Sequence, residues 1–251
     1  MLVSSGMRFL KTAQIWAAAT LAVAVAAGSI AAGPKIAFNE SNYSFGKATQ
    51  HEILTKRFWI KSVGDKPARI VEALQDCACT ELFLKDSTVA PGDSVPLDVS
   101  LNTRSFIGFV NKRSHFLIAG SADSTYLMLY AEVMIKPTEA KPLTLAPVHV
   151  DVSQFSVKPR RKSVITLTNH SDSDLEISLV DTTAKSFDVT IPQVIKAGGS
   201  VEGTIIVKKD RIPRSFAESF AFELNDDGRS RYSVPVVRIY DVKDSTRTSS
   251  R

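Results

Sequence analysis

The chain repeats its own pattern of apolar residues, and this repeat constrains the fold more than any other feature. Shifting the chain by 107 positions places apolar residue on apolar residue, without gaps, over about 60 residues. The matched residues alternate between turns rich in Gly, Pro, Asp and Ser, which is the pattern of half-buried antiparallel strands. The matches are Ile36 with Leu143, Phe38 with Leu145, Tyr43 with Val150, Phe45 with Val152, Phe58 with Ile165, Ile60 with Leu167, Ile70 with Ile177, and 90–93 with 197–200. The sequence therefore predicts two copies of one β-fold.

Each copy has the length of an immunoglobulin-like sandwich. Strands are predicted about every 10–15 residues over copies of roughly 105 residues, and after residue 33 no segment keeps a helical period for three turns. The predicted fold class is all-β, with two tandem immunoglobulin-like antiparallel β-sandwich domains at 34–136 and 143–240. A polar segment with two prolines, 137–142, is predicted to link them end to end. The tail, 241–251, is predicted to be disordered because it has little apolar content to bury.

The first 33 residues have the composition of an export signal. Arg8 and Lys11 supply a positive start, 15–27 is apolar, and small residues follow at 26–32. This pattern predicts a cleaved signal peptide over 1–33. The alternative is an uncleaved signal-anchor helix, since about 20 residues are enough to span a bilayer. We therefore expect the body of the protein to be periplasmic or secreted, or else anchored to the inner membrane by this segment.

Two cysteines form the one local motif that the second copy lacks. Cys77 and Cys79 fall opposite Ala184 and Ser186, so the fold does not require them. In an extended strand their Cα atoms would lie about 6.6 Å apart, near the upper limit for a disulfide. A bond between the two cysteines therefore needs a turn or a bulge.

This cysteine pair has three interpretations. It is a structural pair, either a local disulfide or two buried thiols, or it is a strained disulfide with a redox function. The third interpretation is a soft-metal site, in which Cys77 and Cys79 bind Cu(I) or zinc together with His51 or His115. The structural pair is favoured and no cofactor is predicted. Redox or soft-metal handling is the alternative function for the chain.

The first copy resembles a known family over about residues 35–135. The resemblance rests on Tyr-x-Phe-Gly at 43–46, the Cys-x-Cys-Thr tetrad at 77–80, the turn at 90–93 and Gly-Phe-Val-Asn-Lys at 108–112. These motifs stand in the order seen in the exported bacterial family catalogued as domain of unknown function 1573, which is similar to Hydin-type and major-sperm-protein-type immunoglobulin folds. This chain departs from the pattern at two positions, with Ala78 in place of a common glycine and Ser62 in place of a common asparagine. The resemblance implies an exported immunoglobulin-like module with no established activity.

Sequence motifs for catalysis are lacking. His51 and Glu52 begin a zinc-protease pattern, but Thr55 stands where the second histidine is needed. The sequence has neither a Gly-x-Ser-x-Gly elbow nor a Gly-rich phosphate loop. The formal charge of +5 is too small to indicate nucleic acid. We therefore expect a non-enzymatic binding or structural module of the bacterial cell envelope, without a small-molecule substrate.

One strand is a candidate for binding a protein partner. The last strand of the first copy, 124–135, lacks the proline that protects its counterpart at Pro235, and an unprotected edge strand accepts a partner's strand. Its candidate binding-edge residues are Tyr126, Leu127, Leu129 and Tyr130. The competing interpretation is a central strand packed in the core. The basic run 158–162 favours a solvated loop over contact with an anionic lipid or glycan. Contact with a membrane is therefore expected only through the N-terminal segment, if that segment is uncleaved.

Overall fold

The computed structural model describes residues 33–122, 124–136, 141–181 and 184–242. The signal segment up to residue 32, most of the linker (137–140) and most of the tail (243–251) lie outside the described residues. Eighteen strands and one 3-10 turn, Lys209–Arg211, are found in the described part, where no helix is long and apolar enough to cross a bilayer. The predicted all-β fold class is confirmed.

The first sandwich contains nine strands. They are β1 Ile36–Phe38, β2 Asn42–Thr49, β3 Ile53–Ser62, β4 Ala68–Gln75, β5 Thr80–Leu84, β6 Thr88–Val89, β7 Ser94–Asn102, β8 Gly108–Ile118 and β9 Ser124–Met134. The second sandwich has β10 Leu143–Ala146, β11 Val150–Asp151, β12 Lys162–Asn169, β13 Leu175–Asp181, β14 Phe187–Thr190, β15 Val194–Ile195, β16 Ser200–Val207, β17 Phe216–Leu224 and β18 Arg231–Arg238.

The two sandwiches share one strand order. The first has a sheet β1-β3-β7-β5, and the second repeats it as β10-β12-β16-β14. The facing sheet runs β6-β4-β8-β9-β2 in the first sandwich, and its counterpart joins β15, β13, β17, β18 and β11. Alternate side chains point inward and form two separate apolar cores. Tyr43, packed edge-on against Phe45 and Phe58, is central to the first core, and burial of one such side chain contributes about 1.5–3 kcal/mol.

The repeat is not gapless through its whole length. Thr80 and Phe187 begin equivalent strands, β5 and β14, at the predicted offset of 107. Beyond them the offset falls by one, because Phe58 pairs with Leu97 whereas its equivalent Ile165 pairs with Gly203. The turn 90–93 therefore matches 196–199, and the predicted match with 197–200 is wrong. The alignment could not show this, because the second turn has two adjacent glycines, Gly198 and Gly199, so that Gly92 falls on a glycine at either offset.

The candidate binding edge at β9 is not an edge of the sheet, and this interpretation is wrong. This strand lies inside its sheet, paired antiparallel with β8 and parallel with β2. Leu127 and Leu129 are fully buried in the first core, while Tyr126 and Tyr130 lie on the outer face and remain partly exposed. Both edges of β9 form backbone hydrogen bonds with neighbouring strands, and proline cannot donate such a bond. The absence of proline from β9 is therefore a structural requirement. The central-strand interpretation is the one that the structure supports.

A continuous sheet joins the two sandwiches, in place of the predicted end-to-end arrangement. Lys47 of β2 and Tyr232 of β18 form a parallel bridge, which produces a ten-stranded sheet. Gly46, with φ of +71°, lies so close to β18 that a Cβ there would stand 2.3 Å from the Arg231 carbonyl oxygen. Glycine is needed here because of the positive φ and because of the close approach of the Arg231 backbone.

Charged side chains are buried at the same junction. Lys56 of the first sandwich forms an ion pair of 3.6 Å with Asp181 of the second, and the two side chains are only 10% and 1% exposed. The Lys56 ammonium also lies 4.8 Å from the centre of the Tyr43 ring. Burial raises the pKa of the Tyr43 hydroxyl, so this ring stays neutral. The residues from Gly33 to Val242 that the structure describes belong to one compact unit.

Candidate functional site

A cleft lies where the second sandwich meets the outer face of the sheet β1-β3-β7-β5. We call it the junction cleft; its volume is about 340 Å³. Clefts at the meeting of two domains are the usual place for binding sites. The lining residues are Thr55, Lys56, Arg57, Glu81, Leu82, Phe83, Asp98, Val99, Ser100, Ala184, Lys185 and Glu218. Strand register explains this set: Arg57, Asp98 and Phe83 stand side by side on β3, β7 and β5.

Three charged side chains form the centre of the junction cleft. The Arg57 guanidinium donates two hydrogen bonds to the Asp98 carboxylate, at 2.7 and 3.0 Å, and Lys185 of the second sandwich donates a third at 2.6 Å. Burial opposes ionisation of Asp98, but the bonds from Arg57 and Lys185 outweigh it and hold the pKa of Asp98 below its ordinary value. The cluster therefore presents a fixed, paired charge, with a cation on each side of one carboxylate.

Glu218 of β17 fixes the loop that carries Lys185. Its carboxylate accepts hydrogen bonds from the backbone N–H of Lys185, at 2.8 Å, and of Ser186, at 3.1 Å, and from the Ser186 hydroxyl, at 2.7 Å. Charge-assisted bonds of this kind are the stronger ones in proteins. The position of the Lys185 ammonium in the junction cleft is thus set by β17.

Phe83 gives the cleft an apolar wall. It belongs to the run Leu82-Phe83-Leu84, in which Leu82 and Leu84 pack against the first core. Since neighbouring residues of a strand point to opposite faces, Phe83 must point outward, and it is 67% exposed. β5 ends its sheet, with β7 as its one neighbour among the strands that the structure describes. An exposed aromatic ring beside a free strand edge is suited to contact with another chain.

The cysteines lie in the turn that begins β5. Cys77 and Cys79 are joined by a disulfide, and their Cα atoms are 5.2 Å apart because the chain turns there. The turn is held by a hydrogen bond of 2.7 Å from the Arg104 guanidinium to the Ala78 carbonyl, and Cys79 is buried. Thr80 is also buried, and its hydroxyl lies 3.8 Å from the Cys77 sulfur and 3.9 Å from the Cys79 sulfur. This geometry agrees with the structural interpretation of the pair, and a local disulfide is in itself no evidence for redox function.

The predicted histidine ligands are not supported. His51 lies in the turn between β2 and β3, where its N–H bonds to the Arg104 carbonyl, and the His115 ring packs edge-on against Tyr126. Within the described ranges, no three His, Cys, Asp or Glu side chains are grouped so that they could hold a metal ion. The disulfide also occupies both sulfurs that the metal interpretation requires.

Sequence reasoning missed the junction cleft. One signal was present, since three apolar residues in a row at 82–84 break the alternation of a strand and leave one of them exposed. Asp98 and Lys185 are 87 residues apart, and no pattern in the sequence indicates that they meet.

Comparisons with solved structures give distant matches. A protein of unknown function from Porphyromonas gingivalis W83 has 13% identity and a TM-score of 0.33, with 81% of this chain and 98% of that chain covered. The secreted serine protease VesC from Vibrio cholerae has 10% identity and a TM-score of 0.34, covering 83% of this chain and 52% of that one. The C. elegans MSP family member WR4 has 12% identity and a TM-score of 0.29, covering 40% and 99%. These likenesses carry no function over to this chain.

Sequence comparison gives one match to a family. No curated protein matches the chain. Residues 36–133, which span the strands of the first sandwich, match the family described as "Protein of unknown function (DUF1573)", and this match confirms the resemblance seen in the sequence.

Proposed function

We propose that this chain is an exported, non-enzymatic binding module of the bacterial cell envelope, which holds a segment of a partner protein in the junction cleft. The observation that carries the proposal is the cleft itself, to which each sandwich contributes a wall. Concave sites with apolar walls and a few fixed polar groups are typical of binding sites.

The lining of the cleft favours a peptide segment as occupant. Phe83 offers an apolar contact, while Arg57, Asp98 and Lys185 offer fixed charges of both signs. Asp98 is already neutralised by two cations, which suits it to a positioning role rather than to that of a general base. Neighbouring Glu81 accepts a hydrogen bond of 3.4 Å from Ser100 and adds a further polar contact. These features favour binding of a peptide segment over catalysis.

The proposed location rests on the sequence. The positive start and apolar run within residues 1–33 favour export, and a disulfide such as Cys77–Cys79 persists in an oxidising compartment. Mass spectrometry of the mature N-terminus tests this step. A species that begins after residue 27 supports a cleaved signal, and one that retains residues 7–27 supports the anchored form.

Photo-crosslinking in the native host tests the function. A photoreactive phenylalanine analogue is placed at Phe83, inside the cleft, and in a matched strain at Phe109, which is 90% exposed on β8 of the other sheet. We expect a discrete crosslinked protein from position 83 and none from position 109. Equal crosslinking at both positions, or none at either, would contradict the proposal.

A further inference from the structure

The second sandwich ends in three segments that are held together by one buried arginine. Arg238 is 1% exposed, and its guanidinium donates to the Val152, Arg160 and Ile212 carbonyls and to the Gln154 side chain, with Arg160 at 2.8 Å and Ile212 at 2.7 Å. These acceptors belong to the segments 152–160 and 212, so one side chain fixes the two segments to the end of β18. We call this region the basic end.

Exposed apolar side chains project from the basic end. Phe155 is 64% exposed and Val157 is 77% exposed, on the segment that Arg238 fixes, and Ile239 next to Arg238 is 50% exposed. The segment is tied down further, since the Gln154 backbone N–H donates to the Ile239 carbonyl at 2.8 Å and the Arg160 backbone N–H donates to the Gln154 side-chain oxygen at 3.3 Å. The apolar groups are therefore held out to solvent by rigid backbone, which is costly in water unless something covers them.

Basic side chains are frequent on the segments of the basic end and on the chain next to them. Exposed cations at the basic end are Lys158, Arg160, Lys162, Lys209 and Arg214, and half-buried ones are Arg161 and Arg211. The acids nearby are Asp151, which bonds to the Ser153 N–H, Asp210, which pairs with Arg211 at 3.2 Å, and Asp241. Cations outnumber acids, so the region favours a negatively charged partner.

We propose that the basic end docks on the surface of an anionic phospholipid bilayer. Phe155 and Val157 enter the boundary between headgroups and acyl chains, and the surrounding lysines and arginines bind the lipid phosphates. Exposed apolar groups on the same segments as a cluster of cations match an interface that offers both hydrocarbon and phosphate. A nucleic acid or an anionic glycan needs the cations alone and leaves Phe155 and Val157 uncovered. This surface is separate from the junction cleft, and the proposal does not depend on it.

Vesicle binding tests the proposal. The full chain, in the form that the host produces, is mixed with vesicles rich in phosphatidylglycerol or made of phosphatidylcholine alone, and the bound fraction is measured by flotation. We expect tighter binding to the anionic vesicles and loss of this preference at high salt. Phe155→Ser with Val157→Ser is expected to weaken the binding by about tenfold. Lys158→Gln with Lys209→Gln is expected to weaken it by roughly tenfold as well.

Matched variants on the first sandwich control for general effects. Ile107→Ser with Phe109→Ser removes apolar groups that are 65% and 90% exposed, and Lys66→Gln with Lys85→Gln removes two exposed cations. All proteins share one N-terminus, so a difference in binding between them is due to the substituted side chains, and these controls should bind as the wild type does. Three results would overturn the proposal: equal binding of the wild-type chain to neutral vesicles, unchanged vesicle binding by the basic-end variants, or a wild-type chain that binds heparin or DNA but does not bind the anionic vesicles.

Discussion

Thr55 of β3 and Ser219 of β17 bind each other through three hydrogen bonds across the junction. The Thr55 N–H donates to the Ser219 hydroxyl at 2.7 Å, the Ser219 N–H donates to the Thr55 hydroxyl at 2.9 Å, and the Ser219 hydroxyl donates to the Thr55 carbonyl at 3.3 Å. Reciprocal bonds of this kind fix both position and orientation. These bonds therefore hold the second sandwich against the first at the wall of the junction cleft.

Gly46→Ala tests the close approach of the two sandwiches. The new methyl group would meet the Arg231 backbone at β18, and the φ of +71° is unfavourable for alanine. We expect the free energy of unfolding to fall by about 2–4 kcal/mol, as measured by denaturant titration. Gly92→Ala is the control, because Gly92 has a φ of +84° but nothing within 4 Å of its added Cβ. A loss of stability at Gly92 as large as that at Gly46 would mean that φ alone matters and that the contact contributes nothing.

Asp98→Asn tests the charge cluster of the junction cleft through pH. The pKa of Asp98 is lower in the folded chain than its ordinary value of about 4, so its stabilisation is complete above that value and is lost as the pH falls through the folded pKa. The side chain is one-third exposed, which limits the effect at neutral pH to about 1 kcal/mol. Unfolding curves of wild type and variant should differ at pH 7 and converge in acid. A constant difference at every pH would rule out this ionic contribution.

Arg238→Met tests the buried arginine of the basic end. The variant fills a similar volume but leaves the Val152, Arg160 and Ile212 carbonyls without their donor, and each unsatisfied buried group costs about 1–3 kcal/mol. We expect a loss of roughly 3 kcal/mol or more, with little rescue by Arg238→Lys, since lysine lacks the planar fork of donors. Exposed Arg69→Met is the control and should change the stability by less than about 0.5 kcal/mol.

Cys77→Ser with Cys79→Ser tests the structural interpretation of the disulfide. The bond closes a very short loop, and the second sandwich has Ala184 and Ser186 in place of the cysteines just before its equivalent strand β14. We expect unfolding to remain cooperative and the free energy of unfolding to fall by at most about 3 kcal/mol. Circular dichroism during denaturant titration measures both. Loss of the folded state of the whole chain would contradict this interpretation.

The repeat predicted the architecture because strand periodicity is local. Alternation at Tyr43, Phe45 and Phe58 identifies core positions from a few neighbouring residues, and all three are buried. The place of a strand in its sheet depends on distant partners, which is why the sequence leaves β9 open to both an edge and a central position, although β2 covers it through pairs such as Tyr43 with Leu129. The junction cleft depends on the same distant contacts, so its charged residues could not be grouped from the sequence.

The affinity of the crosslinked partner for variants of the cleft tests the central claim most directly. Once photo-crosslinking at Phe83 identifies that protein, its dissociation constant is measured by calorimetry with the wild-type chain, Phe83→Ser and Phe109→Ser. The account predicts a loss of at least about tenfold for Phe83→Ser, since an exposed aromatic anchor contributes much of the energy of an interface, and no change for Phe109→Ser. Equal affinity of all three chains, with Phe83→Ser still folded, would contradict binding in the junction cleft.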